Sequence, residues 1–395
     1  MNVSIADIAL VIIEWLVSDY CHDLDVANLV EGLGVRLVNA GLPIDRLAFH
    51  LFTIDPEFLG RAIAWAPGES VEIISRRHGF ENTALGQRNP VRHVLKTGAW
   101  LTVRPDQPGA DHWPTHDIYA NRQLAELVFA PLLSGSSWIG AVSLSTCRER
   151  GFKPEHHALF RRIMPTLRTV IELKMLQERS TNLLDTYIGT ETGRRILAGH
   201  IRRDDVETIE AALMICDLRD FTGLSNRLSG DRILHFLNSY FDQVLPAIEE
   251  NGGEVLKFVG DAILAIFRIS DDPARNCSVA FQASLSALSR LASLSEADAT
   301  LSAGVALHYG AASYGNIGSG HRLDFTVIGR DVNLTSRIQT VCASSGEPLL
   351  MSSRFAKLLT GIETRSCGYH ELKGFAEKVE LFAVADQPHA DSDVS

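Results

Sequence analysis

The stretch from residue 211 to residue 268 changes its hydrophobic period several times, and few folds accommodate that order. Residues 211–216 (Ala-Ala-Leu-Met-Ile-Cys) are an unbroken apolar run of strand length that ends at Asp217. Downstream, Ile233, Phe236, Leu237, Tyr240, Phe241, Val244 and Ile248 recur at helical spacing, the mark of one buried helix face. Gly252-Gly253 ends that helix, and residues 254–259 and 262–268 then read as two strands around a tight turn at Gly260-Asp261. The order β-α-β-β predicts an α+β domain that begins in ferredoxin-like fashion. In such a sheet Asp217, at a strand end, and Asp261, in the neighbouring turn, come to one rim. A lone aspartate at such a place forms a turn or caps a helix. Two that converge suit a hard cation, Mg²⁺ or Mn²⁺, which keeps positions open for water and phosphate oxygens. Spacing alone leaves both readings open.

The chain has 395 residues, more than one compact core supports, so two domains and a connector are expected. Its formal net charge of −11 argues against non-specific nucleic-acid binding and against broad electrostatic attachment to membranes. Cys21, Cys147, Cys216, Cys277, Cys342 and Cys367 are scattered, with neither zinc-ligand nor disulfide-scaffold spacing, which points to a reducing, cytoplasmic compartment. The apolar residues 8–17 carry Glu14 and are followed by Asp19, His22 and Asp23, too short and too charged for a membrane span. Ile5, Ile8, Ile12 and Trp15 or Leu16 instead mark an amphipathic helix docked on a domain or dimer surface.

Residues 1–155 read as an α/β domain. Leu47, Phe49 and Leu51 alternate through a strand, and another follows at residues 62–65. A short helix spans 90–96, closed by Gly98, and a strand follows at 100–103. Two apolar runs, 127–133 and 138–145, join through Ser134-Gly135-Ser136-Ser137 as a hairpin, and a helix starts near Pro154. His50, Cys21 and Trp65 are pocket candidates there, against the plainer alternative of core or surface residues. Residues 156–205 read as a helical connector ending in a linker at Arg202-Arg203-Asp204-Asp205. Its Leu173, Leu176, Ser180, Leu183 and Tyr187 step by three and four as a heptad seam, which predicts a parallel two-helix coiled coil, with a buried monomeric helix as the alternative. Residues 206–386 make up the second domain and 387–395 a flexible tail.

The segments FAPLLSGSSWIGAVSLSTCRERGFKPEHHALFRRI and NPVRHVLKTGAWLTV resemble GAF domains over about residues 20–175. That resemblance implies a sensor fold and names no ligand. More specific are CDLRDFTGLS, KFVGDAILAIF, LDFTVIGRDVNLTSRIQ and HELKGF, in that order. Together they resemble the catalytic core of class III nucleotidyl cyclases over about residues 210–385. The resemblance implies that Asp217 and Asp261 bind two Mg²⁺ or Mn²⁺ ions per site, that Lys257 and Thr326 read the purine, that Asn333 and Arg337 stabilise the transition state, and that Lys373 holds the distal phosphates. Lys257 would donate to a ring nitrogen of adenine and Thr326 accept from its amine, whereas guanine would leave such groups unpaired at about 1–3 kcal/mol each. Threonine at 326 is similar to a bacterial adenylate cyclase subgroup. The implied activity is conversion of ATP to cyclic AMP in a head-to-tail homodimer with shared sites, under regulation by an unknown signal at the first domain. The alternatives are a guanylate cyclase and a non-catalytic regulatory binding protein.

Overall fold

The computed structural model describes residues 4–114, 124–135, 137–202, 205–296, 299–319 and 322–385. The chain divides into two compact units, Met1–Thr186 and Tyr187–Ser395. Ser136, Arg203, Asp204 and the expected tail 387–395 lie outside the described residues. Among the described residues no helix is long and apolar enough to cross a membrane.

The first helix, Ile5–Leu16, starts at a reciprocal cap: the Asp7 amide donates to Ser4 Oγ, and the Ser4 amide donates to the Asp7 carboxylate. It buries Ala9, Ile12, Trp15 and Leu16 in the core of its own unit. Six strands follow: β1 (Arg46–Phe52), β2 (Phe58–Trp65), β3 (Glu72–Arg77), β4 (Leu101–Val103), β5 (Glu126–Ser134) and β6 (Ser137–Thr146). They form one antiparallel sheet in the order β3-β2-β1-β6-β5-β4. The expected hairpin closes with Ser134 opposite Ser137. Alternation along β5 serves two cores. Val128, Ala130 and Leu132 join the cluster that holds helices Ile5–Leu16 and Val26–Asn39, while Leu127 and Phe129 meet Val94 and Leu95 of helix Pro90–Thr97. Cys21 and Trp65 are core residues of the first cluster. His50 Nε2 lies 2.9 Å from Ser143 Oγ, and burial, with Arg46 and Arg76 nearby, pushes its imidazole down to about 3, so it is neutral at pH 7.

Helix Val26–Asn39 is an element the sequence reading does not anticipate. It buries Val26, Leu29, Val30, Leu33 and Leu37 at helical spacing, but Gly32 and Gly34 interrupt its propensity. Gly34 is required by packing, because a Cβ there would sit 2.1 Å from Cε3 of the Trp65 indole. Gly34→Ala should destabilise the first unit by about 1–3 kcal/mol through overpacking, which thermal unfolding followed by tryptophan fluorescence would register. An unchanged melting temperature would mean that the indole yields freely.

Helix Pro154–Ile188 continues through Pro165 and buries Leu159, Phe160, Ile163, Met164, Leu167, Ile171, Lys174 and Met175. Lys174 Nζ donates to the carbonyls of His22 (2.9 Å) and Leu24 (2.5 Å), so a buried ammonium pins the amino-terminal segment to this helix. The heptad positions face outward: Leu173 is 47% exposed, Leu176 52%, Leu183 39% and Tyr187 80%.

In the second unit, helix Thr190–Leu197 opens after Gly189, whose φ of 85° breaks the preceding helix. Arg195 stacks over the Tyr314 ring at 4.8 Å and pairs with Glu207 at 3.3 Å. The expected β-α-β-β order follows: β7 (Val206–Leu218), helices Phe221–Arg227 and Gly230–Glu249, then β8 (Glu254–Val259) and β9 (Ala262–Phe267). Helix Pro273–Ser293 leads through the two-residue strands β10 (Ser295–Glu296) and β11 (Ala299–Thr300) to β12 (Ala303–Ser319) and β13 (Arg322–Ile328). After helix Arg330–Ser345 come β14 (Leu349–Ser352), β15 (Thr364–His370) and β16 (Val379–Val384). The sheet order is β15-β16-β14-β12-β7-β9-β8, with β13 pairing along β12. Phe236, Tyr240 and Val244 pack with Cys277 and Phe281 on one face of β7, where Met214 and Cys216 point. Ile338 and Cys342 of helix Arg330–Ser345 pack on Ala306 and Leu350.

Candidate active site

The sheet order delivers Asp217 and Asp261 to one place. Cys216 pairs with Ile263 across β7 and β9, so Asp217 emerges beside the turn that carries Asp261, a turn made possible by Gly260 at φ 67°. The two carboxyl groups are within hydrogen-bonding reach of each other. Burial first, and then the Asp261 carboxyl, push Asp217 up to about 6, while the Arg219 guanidinium pulls the other way. Two hard oxygen donors held together in this way fit a divalent cation. Among the described residues no group of three or more His, Cys, Asp and Glu side chains gathers. A cation here would need further oxygen ligands beyond these two carboxylates.

Lys257 lies on β8, and its Nζ is 2.9 Å from Asp324 Oδ2 on β13. Thr326 stands two residues further along β13, hence on the same face as Asp324. Thr326 is 3% exposed, and its Oγ1 has no hydrogen-bond partner among the described residues. A buried hydroxyl left unpaired costs about 1–3 kcal/mol, so this group favours a hydrogen-bonding partner, a water or a ligand group. Asp324 is absent from the sequence-derived set. The available signal was its i−2 relation to Thr326 on an alternating strand.

Asn333 and Arg337 stand one turn apart on helix Arg330–Ser345, the first exposed and the second partly buried. Arg337 has no ion pair with a described residue. Lys373 is exposed in the segment between β15 and β16, and the Arg330 guanidinium, 5.6 Å from the Phe375 ring centroid, ties that segment to the first turn of the helix. The seven sequence-derived residues thus fall into three groups: the carboxylate pair, the Lys257–Thr326 edge, and the helix with its neighbouring segment. Among the described residues, no hydrogen bond or ion pair joins the carboxylate pair to Asn333, Arg337 or Lys373.

Residues 204–386 match the family described as the adenylate and guanylate cyclase catalytic domain. The second unit therefore carries a catalytic domain of the class III cyclases. Several of its curated relatives are adenylate cyclases. That of Anabaena cylindrica is 30% identical over 185 residues, covering 45% of this chain and 37% of its own. A terminal-differentiation-specific adenylate cyclase of Dictyostelium discoideum is 30% identical over 189 residues, covering 46% of this chain and 9% of its own. The chain thus spans well under half the length of these relatives. Among solved structures, a bacterial light-regulated adenylyl cyclase is 24% identical with a TM-score of 0.49, covering 55% of this chain and 64% of that one.

Proposed function

We propose that this protein is an adenylate cyclase that converts ATP to 3′,5′-cyclic AMP and pyrophosphate. The observation that carries the reading is the contact between Asp217 and Asp261 at the end of β7, in the same domain as the unpaired buried hydroxyl of Thr326 and the tethered Lys257. Lys257 donates to a ring nitrogen of adenine, and Thr326 accepts from its exocyclic amine. Asn333 orients the ribose, Arg337 neutralises charge developing at the α-phosphoryl group, and Lys373 binds the distal phosphates. The ribose 3′-hydroxyl releases its proton to solvent, its oxygen forms a bond to the α-phosphorus as the bond from that phosphorus to the bridging β-phosphate oxygen breaks, and pyrophosphate departs. Mg²⁺ or Mn²⁺, two ions per site at Asp217 and Asp261, would supply Lewis-acid stabilisation of the oxygens that gain charge.

The site is shared between two chains in a head-to-tail homodimer. Phe258 and Val259, between Lys257 and Asp261, are 50% and 59% exposed, and Ile328 at the end of β13 is 51% exposed, apolar surface suited to cover by a second copy. The outward heptad positions of helix Pro154–Ile188 support a parallel two-helix connector. The first unit, an antiparallel sheet with apolar clusters on both faces, acts as a GAF-type regulatory domain.

Purified chain given ATP or GTP with Mn²⁺ or Mg²⁺ tests this. Cyclic AMP should dominate, and Lys257→Met should lower kcat/KM for ATP by roughly one to two orders of magnitude while narrowing the preference over GTP. Dominant cyclic GMP would overturn the purine assignment. Absence of both products from folded dimer would overturn the catalytic one.

A further inference from the structure

Arg219, two residues beyond Asp217, reaches across the domain rather than into solvent. Its Nη1 donates to the Cys342 carbonyl at 2.7 Å, and its Nη2 donates to the Glu347 carbonyl and meets Cys342 Sγ at 3.4 Å. Cys342 lies in the last turn of helix Arg330–Ser345, and Glu347 lies just past its Gly346 cap. The last carbonyls of a helix lack intrahelical partners and carry the negative end of its dipole, so a bidentate cation is well matched to them. The Arg219 amide is fixed as well, donating to the Ser302 carbonyl at 2.8 Å. Room for the guanidinium depends on Gly304, since a Cβ there would fall 2.6 Å from Arg219 Nη2. Gly304 is also the β12 residue paired with Asp217, and its carbonyl accepts from Gln339 Nε2 of the same helix at 3.1 Å.

We propose that Arg219 is a positioning residue: a strut that sets helix Arg330–Ser345, and with it Asn333 and Arg337, against the end of the strand that bears Asp217. The inference rests on the adenylate cyclase reading above for its kinetic consequence and on the hydrogen-bond geometry alone for its structural one. If each active site takes its carboxylates from one chain and its arginine from the other, the strut also joins the two sites of a dimer through the body of each chain.

The test uses the full chain in four variants: Arg219→Met, Arg219→Lys, Gly304→Ala and the double variant of Arg219→Met with Gly304→Ala. Arg219→Met should lower kcat about tenfold to a hundredfold, with KM for ATP within about twofold, because the misplaced groups act on charge that develops during reaction. Arg219→Lys, able to reach one carbonyl, should recover part of the loss. Gly304→Ala, which displaces the guanidinium without removing it, should reproduce the loss, and the double variant should be no worse than Arg219→Met alone. Hydrogen exchange supplies a readout independent of catalysis: amides 341–347 should exchange about tenfold faster in Arg219→Met than in wild type. Unchanged kcat in folded Arg219→Met, or additive effects of the two sites, would overturn the proposal. If wild type made no cyclic nucleotide, the functional reading would fail by itself. The strut would then stand or fall on exchange at 341–347, with unaltered protection refuting it.

Discussion

Replacing Asp261 by Asn is expected to lower cyclic AMP formation about a thousandfold while raising the melting temperature of the metal-free protein. The two effects share one cause. Burial, and then the Asp261 carboxyl held within hydrogen-bonding reach, push Asp217 up to about 6 from an ordinary 3.8. The folded chain therefore binds this proton more tightly than the unfolded chain does. The resulting penalty on folding is absent below the ordinary carboxylate value and complete above about 6. Allowing for solvent screening at a partly exposed pair, relief of the repulsion contributes about 1 kcal/mol, or a rise of about 2–4 °C. The rise should appear above neutral pH and vanish near the ordinary carboxylate value. Added Mn²⁺ should stabilise wild type and leave Asp261→Asn nearly unmoved. Calorimetry with and without chelator, beside the product assay, measures all of this. A variant that is less stable without metal and still active would remove the carboxylate pair from the reaction.

Mixing Asp217→Asn chains with Arg337→Ala chains is expected to restore activity that neither possesses. Arg337 has no ion pair with a described residue, and none links it to the carboxylates of its own chain. With random exchange half the dimers are mixed, and each mixed dimer holds one intact site, so recovery should approach about a quarter of the wild-type rate. Each parent alone should be reduced about a thousandfold. Product formation after mixing, with mixed dimers verified by differential tags, is the measurement. Silence from proven mixed dimers would mean that both groups serve a site within one chain.

Much of the catalytic unit is legible in the amino-acid order because burial imposes strict periods there. The run before Asp217 is a central strand buried on both faces, and the helix Gly230–Glu249 shows only one face to the core, so each leaves a clean pattern. The position of Asp261 follows from a two-strand turn, and its meeting with Asp217 from strand order. Asp324 escapes notice because an exposed acid on an edge strand looks like ordinary solvated surface, and only the paired ammonium of Lys257 distinguishes it. Arg219 escapes for a related reason: its partners are backbone carbonyls far along the chain, and no residue type announces a carbonyl. In the first unit, β3 is exposed along nearly all its length and carries Ile73 and Ile74 side by side, so it lacks alternation, while the glycines of helix Val26–Asn39 mask a periodic apolar face that receives Trp65.

The ammonium of Lys174, seated on the carbonyls of His22 and Leu24, bears on how such a chain can be recombined. Leu159, Phe160, Ile163, Leu167 and Ile171 are as deeply buried as any strand residue of the first unit, so the helix Pro154–Ile188 is core there for half its length. A chimera cut at residue 155 would strip that core of its covering helix and leave its replacement partner with an apolar stub. A transplant cut after Thr186 carries the covering helix along and keeps Lys174 with its two acceptors. The exchangeable piece is thus longer than the sheet it contains, and its natural seam lies where the outward-facing leucines end.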